Sequence, residues 1–368
     1  MWARDTHRSW KMRLVTVRSG FIYWRKWGGI FKSMDSCNYP PQNLVSECKV
    51  KRESSQRILL TGATGFVGKA LHTELISQGH NVCVAIRTDR YKRNNVVGIE
   101  DVDGTTDWSK ALRDVNTVIH LAARVHVMTD ANCDSLAVFR QVNVAGTLNL
   151  ARQATQAGVK RFIFISSVKV NGEYTEIGQP FTEENVANPQ DAYGQSKFEA
   201  EQGLLLLAKQ TAMEIVIIRP PLVYGNGVKA NFASMLRAVR LGIPLPLGAI
   251  HNKRSFVYVG NLVSLILRCL DHPSAVNQVF LVSDGLDLPT TELLNECAIA
   301  LGVKSRLWNL PQRLIENLAS MVGKGDVAQR LCGNLQVDIS KARALLGWTP
   351  PFSVADGLKA TALGLKSD

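Results

Sequence analysis

Tyr193 and Lys197 stand four residues apart in Tyr193-Gly-Gln-Ser-Lys197, a spacing that puts both on one face of a helix. A free phenol titrates near pH ~10, too high to exchange protons at neutral pH. A neighbouring ammonium favours the phenolate, so Lys197 is expected to pull the Tyr193 value down. Tyr193 then suits the protonation of a carbonyl being reduced, or the removal of a proton from a hydroxyl being oxidised. Upstream, Phe164-Ile-Ser-Ser-Val168 reads as the end of a strand and places Ser167 at the C-terminal edge of a sheet. Ligands of open α/β sheets bind at that edge. A hydroxyl there can hydrogen-bond the reacting oxygen and aim it at Tyr193. Alone, Tyr-x-x-x-Lys recurs by chance and a strand-end Ser is a cap. Together they read as hydride-transfer chemistry.

A second constellation supplies a place for a dinucleotide. Arg57-Ile-Leu-Leu-Thr-Gly-Ala-Thr-Gly-Phe-Val-Gly68 reads as strand, glycine turn and helix start. Gly62 permits the tight turn, Gly65 lets backbone approach a pyrophosphate, and Gly68 lets the helix pack closely on the sheet. Thr64, Phe66 and Val67 complete the expected cofactor loop, whose helix N-terminus turns free N–H groups and its positive dipole end to the phosphates. The next strand ends Val84-Ala-Ile-Arg-Thr88 with no carboxylate at its tip. An acid there would hold a ribose 2′-OH, whereas Arg87 suits a 2′-phosphate. NADP(H) is therefore favoured over NAD(H).

These residues need an alternating scaffold. From Arg57 onward, β-branched runs (58–61, 82–86, 117–121, 161–166, 214–219 and 278–282) alternate with helix-like stretches (69–78, 139–157 and 196–209). That alternation implies a mostly parallel sheet covered on both faces. The last third is less regular, with proline turns and helix-like segments near 290–301 and 311–333, as expected of a smaller lobe.

The 368 residues suffice for a large core. The net charge of +12 suggests nucleic acid until it is mapped. Residues 1–57 hold 12 Lys/Arg against 4 Asp/Glu, so the remainder is only mildly basic. Residues 1–56 show no sustained period and too short an apolar run for a secretory signal. They read as a disordered leader or an upstream start, with the true start near Met34. No run approaches the ~18 apolar residues of a membrane span. Cysteines 37, 48, 83, 133, 269, 297 and 332 form no metal pattern, so no metal is expected and free thiols in the cytoplasm are.

The chain resembles the extended short-chain dehydrogenase/reductases, the NAD-dependent epimerase/dehydratases of nucleotide sugars, over residues 57–365. The resemblance rests on Thr61-Gly-Ala-Thr-Gly-Phe-Val-Gly68, His120-Leu-Ala-Ala123, Asn143-Val-Ala-Gly-Thr147, Ser166-Ser-Val-Lys-Val-Asn-Gly172, Tyr193-Gly-Gln-Ser-Lys197, Arg219-Pro-Pro-Leu-Val-Tyr-Gly225, Arg254-Ser-Phe-Val-Tyr-Val259 and Leu346-Gly-Trp-Thr-Pro350. It implies an α/β fold: a Rossmann doubly wound parallel sheet (57–225, with a return segment 255–283) and a smaller C-terminal substrate-binding lobe (226–254 and 284–365). It further implies that Asp101 and Val102 flank the adenine, and that Leu121, Ala122 and Ala123 line the adenosine and ribose. Asn143 and Pro220 join the cofactor site, and Lys197 also holds the nicotinamide ribose. Asn231 and Arg254 match positions that hold a sugar nucleotide's diphosphate, to which a guanidinium can fork. A homodimer is the family expectation.

Two departures matter. Asn171 replaces a family Tyr, and Val168-Lys169 replaces the acid pair that dehydratases carry after the catalytic Ser/Thr. The second departure removes the dehydratase branch. The chain looks most like the bacterial branch that reduces UDP-4-keto-6-deoxy-N-acetylhexosamines for O-antigen synthesis. Oxidoreduction at C4 of a UDP-sugar is the expectation, with net 4-keto reduction placed ahead of 4-epimerisation. A cofactor-sensing or nucleic-acid-binding protein on the same fold is the alternative from another class. The retained Tyr193/Lys197 pair speaks against it.

Overall fold

Alternate residues of each central strand belong to two different hydrophobic cores, and this two-residue period builds the molecule. In the computed structural model, Ile58, Leu60, Val82, Val84, Ile163, Ile165, Val216 and Ile218 face one core. Leu59, Cys83, Ala85, Phe162, Phe164, Ile215 and Ile217 face the other. Opposite-facing side chains are a consequence of strand pleating, and burial on both faces is why these runs read as continuously apolar. The structure describes residues 56–87, 95–125, 135–321, 323 and 325–365. The leader expected over 1–56 lies outside them save for Gln56.

The chain runs β1 (Arg57–Thr61), α1 (Phe66–Ser77), β2 (Asn81–Arg87), β3 (Val96–Ile99), β4 (Thr117–His120), α2 (Ser135–Phe139), a π-helical turn (Arg140–Gly146), α3 (Thr147–Gln156), β5 (Arg161–Ile165), α4 (Ala192–Gln210), β6 (Glu214–Arg219), β7 (Leu222–Tyr224), α5 (Ala230–Arg240), β8 (Phe256–Tyr258), α6 (Val259–Arg268), β9 (Gln278–Leu281), α7 (Thr290–Leu301), α8 (Gln312–Met321), α9 (Gly325–Cys332), α10 (Ser340–Leu346) and α11 (Val354–Leu365). Among the described residues, seven strands form one sheet in the order β3-β2-β1-β4-β5-β6-β9. All its pairings are parallel. The expected doubly wound sheet is thus the observed one. Its order reverses between β1 and β4, where Thr61 pairs with His120, and the crevice beyond such a reversal is where ligands of these sheets bind.

A third core joins Tyr224, Phe232, Leu236, Leu294, Cys297 and Leu358, packing α5, α7 and α11 together. Two sequence expectations need correction. The single helix expected over 139–157 is helical as far as Gln156, but its first part, Arg140–Gly146, is a π turn, which periodicity does not register; buried Asn143 within it bonds Arg124 and Ser196. The helix-like stretch 311–333 is two helices, α8 and α9. Among the described residues no helix is long and apolar enough to cross a membrane.

Candidate functional site

The glycine loop turns tightly against the residues that follow β4 and packs closely on the start of α1. Gly62 has φ +73°, and a Cβ there would lie 2.7 Å from the Ala122 nitrogen. A Cβ on Gly68 would lie 2.1 Å from the Gly62 carbonyl oxygen, so only glycine lets α1 sit this close to the loop. Gly65 differs: its Cβ would meet only the Gly62 oxygen, at 3.1 Å. Gly65 and Thr64 are exposed, while Phe66 and Val67 are half-buried. Gly65 caps α1 without a side-chain hydrogen bond, and the first turn holds no acid. The N–H groups of that turn thus have no intrahelical partners and face an approachable backbone, a fit for a pyrophosphate.

Around this loop the switch point is built from neutral polar groups. Thr61 Oγ1 accepts a hydrogen bond from the Ala122 N–H at 3.2 Å and lies 2.7 Å from His120 Nδ1. His120 Nε2 lies 3.0 Å from Thr147 Oγ1. His120 is fully buried; desolvation, aided by the Lys197 charge, pushes its pKa down to about 3, so the ring stays neutral. Leu121, Ala122 and Ala123 follow, each half-buried along the rim. Val102 is buried, and Gly146 of the π turn packs on its carbonyl. Asp101 is exposed beside Arg87, Oδ1 to Nη1 3.9 Å. A carboxylate therefore does reach the β2 tip, from beyond β3, which the search along β2 alone missed. Residues 88–94, next to Arg87, lie outside the described residues.

A chain of hydrogen bonds ties the rim to the helix bearing Tyr193. The Arg124 N–H donates to Asn143 Oδ1 at 2.8 Å, and Asn143 Nδ2 donates to the Arg124 carbonyl and to Ser196 Oγ. Ser196 Oγ donates to the Tyr193 carbonyl at 2.8 Å. Asn143 is fully buried within the π turn, a distortion frequent at functional sites.

Ser167 lies just past β5 and caps a short 3-10 turn, its Oγ accepting from the Lys169 N–H at 3.2 Å. Tyr193 lies in the first turn of α4, which Asp191 caps through the Gly194 N–H at 2.6 Å. The Tyr193–Lys197 spacing already puts Tyr193 on this helix, and the Asp before it is a recognisable N-cap that marks where the helix starts. Lys197 is 1% exposed; its Nζ donates to the Ile165 carbonyl at 2.8 Å and lies 4.3 Å from the Phe164 ring centroid. Burial pulls its pKa down to about 7, against the charge of Glu201. The lowering expected for Tyr193 is not what this arrangement produces. Burial, then the Asp191 charge, raise the phenol, and the Lys197 ammonium is spent on the Ile165 carbonyl instead.

Arg254 donates from Nη1 to the Gly333 carbonyl at 3.0 Å. Burial and then the Arg330 charge pull its pKa down to about 10, with Glu173 opposing. Arg330 lines a polar cavity of about 220 Å³ with Glu173, Gln190, Asp191 and Gln329. Sequence reasoning missed Arg330, whose proximity to Arg254 depends on α9 folding back. Asn231 lies in the first turn of α5, and its side chain is outside the described residues. Pro220 is buried after β6, its carbonyl accepting from the Val168 N–H at 3.0 Å.

Asn171, noted as a departure, has a structural explanation. Its Oδ1 accepts from Arg219 Nη1 at 3.0 Å and its Nδ2 donates to the Thr182 carbonyl at 2.9 Å. It completes a buried network in which Arg219 forks onto Glu201.

Residues 58–283 match the model of the NAD dependent epimerase/dehydratase family. The chain is 50% identical over 320 residues to a UDP-glucose 4-epimerase of Vibrio cholerae, covering 86% of this chain and 97% of that one. It is 29% identical over 322 residues to an N-acetyl-alpha-D-glucosaminyl-diphospho-ditrans,octacis-undecaprenol 4-epimerase of Escherichia coli O157:H7, covering 83% and 94%. Among solved structures, RMD from Pseudomonas aeruginosa complexed with NADPH superposes with a TM-score of 0.65 at 26% identity, over 85% of this chain and 100% of that one.

Proposed function

This chain belongs to the NAD dependent epimerase/dehydratase family, and we propose that it is an NAD(P)-dependent enzyme that inverts C4 of a UDP-linked sugar. The observation that carries the reading is the 50% identity to a UDP-glucose 4-epimerase over nearly its whole length. The sequence reading had placed net 4-keto reduction first. This relative supports the epimerase alternative better than net reduction.

When bound, the nicotinamide supplies the acceptor and then the donor of one hydride at the sugar's C4. The residues do the rest. The loop Gly62–Gly68 and the first turn of α1 hold the pyrophosphate, and Leu121, Ala122 and Ala123 line the ribose side. Lys197 holds the nicotinamide ribose. Tyr193 would act as phenolate once the positive charge of a bound oxidised nicotinamide offsets the burial and the Asp191 charge that raise its phenol in the ligand-free protein; it would then take the proton of the C4 hydroxyl and return one to the C4 oxygen of the opposite face. Ser167 hydrogen-bonds that oxygen in both orientations. Arg254 and Arg330 fork onto the diphosphate, as two guanidinium groups brought together near a polar cavity favour a dianion. Held there, the substrate leaves its keto-sugar ring free to turn over. Arg87 supports acceptance of NADP(H), and Asp101 beside it supports NAD(H) through the ribose hydroxyls.

The test is incubation with UDP-glucose or UDP-N-acetylglucosamine and NAD, resolving the 4-epimers by chromatography. Interconversion without net reduced nicotinamide is expected. Stoichiometric oxidation of NAD(P)H by a 4-keto sugar, with no epimer formed, restores the reductase. The relative from Escherichia coli O157:H7 motivates one more substrate, the undecaprenyl-diphosphate sugar of its name. Turnover of that compound alone would move the substrate from a UDP to a lipid carrier.

A further inference from the structure

We propose that Lys169 is a positioning residue that clamps the turn bearing Ser167 onto the start of the helix bearing Tyr193, an inference that rests on both being used in the proposed reaction. Lys169 lies two residues after Ser167, and Asp191 two residues before Tyr193. The Lys169 ammonium is hydrogen-bonded to Asp191 Oδ2 and donates to Glu173 Oε1 at 2.8 Å. The other oxygen of Asp191 accepts from the Gly194 N–H at 2.6 Å and caps α4. One carboxylate thus joins the ammonium on one side and the first turn of the Tyr193 helix on the other.

Backbone packing repeats the same junction. The Lys169 N–H donates to Ser167 Oγ at 3.2 Å. A Cβ on Gly194 would lie 2.9 Å from the Lys169 carbonyl oxygen, so this turn rests directly against the helix start. The ion pair is half-buried, with Lys169 and Asp191 side chains 30% and 37% exposed, where a charge pair is screened less than on an open surface. Glu173 and Asp191 also line the polar cavity beside Arg330, so substrate entering there covers the clamp further.

The requirement is geometric. One sugar oxygen must reach Ser167 and Tyr193 together, and a misplacement of about 1 Å costs roughly 100-fold in rate. Lys169→Met removes the clamp while keeping most of the side-chain volume. It is expected to lower kcat about 10- to 100-fold, with KM changed less than about threefold. Lys169→Arg, which can still reach both carboxylates, is expected to recover most of kcat. Asp191→Asn keeps the capping oxygen and removes the charge. Adding it to Lys169→Met is expected to cost less than it does in the parent, because the two act as one unit.

Amide exchange of segments 167–173 and 190–195 is expected to quicken in Lys169→Met and to return to parent rates in Lys169→Arg. Parent-like kcat and exchange in Lys169→Met overturn the proposal. So does a loss that Lys169→Arg fails to recover, or one seen in KM alone. If none of the tested sugars is turned over, the proposed function fails, while the exchange rates and the cycle, read by melting temperature, still decide the clamp.

Discussion

Lys197 donates to the carbonyl of Ile165 at 2.8 Å from a position 1% exposed, so the residue expected to serve the Tyr193 phenol is anchored to the strand beneath it. That carbonyl ends β5, two residues before Ser167. The bond therefore registers α4 on the sheet edge that carries Ser167.

Burial holds the Lys197 ammonium at a pKa of about 7, well below its value in an unfolded chain. Below pH 7 both states carry the proton and the whole burial penalty acts on the fold. As pH rises toward the unfolded value the folded state sheds its proton first, so stability rises relative to a chain without this lysine. The melting temperature of the ligand-free protein minus that of Lys197→Met should increase between about pH 7 and pH 9, the window set by the lowered value. A flat difference across that range would falsify the buried titrating amine.

Tyr193→Phe keeps the ring, which lies 6.0 Å from Phe139, and removes only the hydroxyl. Epimer formation should fall about 100- to 10,000-fold, the range of a lost general acid-base. Ser167→Ala should cost about 100- to 1,000-fold as a lost hydrogen bond to the reacting oxygen. Both variants should bind NAD as the parent does, measured by quenching of protein fluorescence. Parent-like turnover in Tyr193→Phe would remove this residue from the mechanism.

The glycines of the loop separate folding from ligand contact. Gly68→Ala drives a methyl into the Gly62 carbonyl and should cost about 1–3 kcal/mol in denaturant unfolding. Gly65→Ala meets only the Gly62 carbonyl oxygen, at 3.1 Å against 2.1 Å for Gly68, so it should destabilise less than Gly68→Ala yet bind the dinucleotide more weakly. Equal stability of the two variants would contradict the packing described for α1.

Glu201 is fully buried and accepts from Arg219 at 3.0, 3.2 and 2.5 Å. Glu201→Gln strands the Arg219 charge inside the protein. A destabilisation of about 3–5 kcal/mol is expected in urea unfolding. Asn171→Ala should cost less, about 1–3 kcal/mol, since it leaves one guanidinium donor unpaired. A Glu201→Gln variant as stable as the parent would show that solvent reaches this network.

Much of this protein is local in origin and legible residue by residue. Unbroken β-branched runs are apolar because both faces of a central parallel strand are covered. They mark β1, β2, β4, β5, β6 and β9 to within a residue or two. The glycine triplet and the Tyr193–Lys197 spacing carry their meaning in the chain because each acts across a single turn. β7 and β8, at three residues each, are too short to show a period, and β3 is interrupted by Gly98, so none of the three is marked in the sequence. What tertiary structure alone decided is where charge and polarity end up. Asp101 arrives at Arg87 from the loop after β3, Arg330 approaches Arg254 from a later helix, and Lys169 meets Asp191 across 22 residues. Lys197 has its proton affinity set by burial against Phe164 and Ile165, not by its spacing from Tyr193. Spacing along a helix specifies which side chains share a face; the energy of a charge depends on the solvent and partners that only the folded chain supplies.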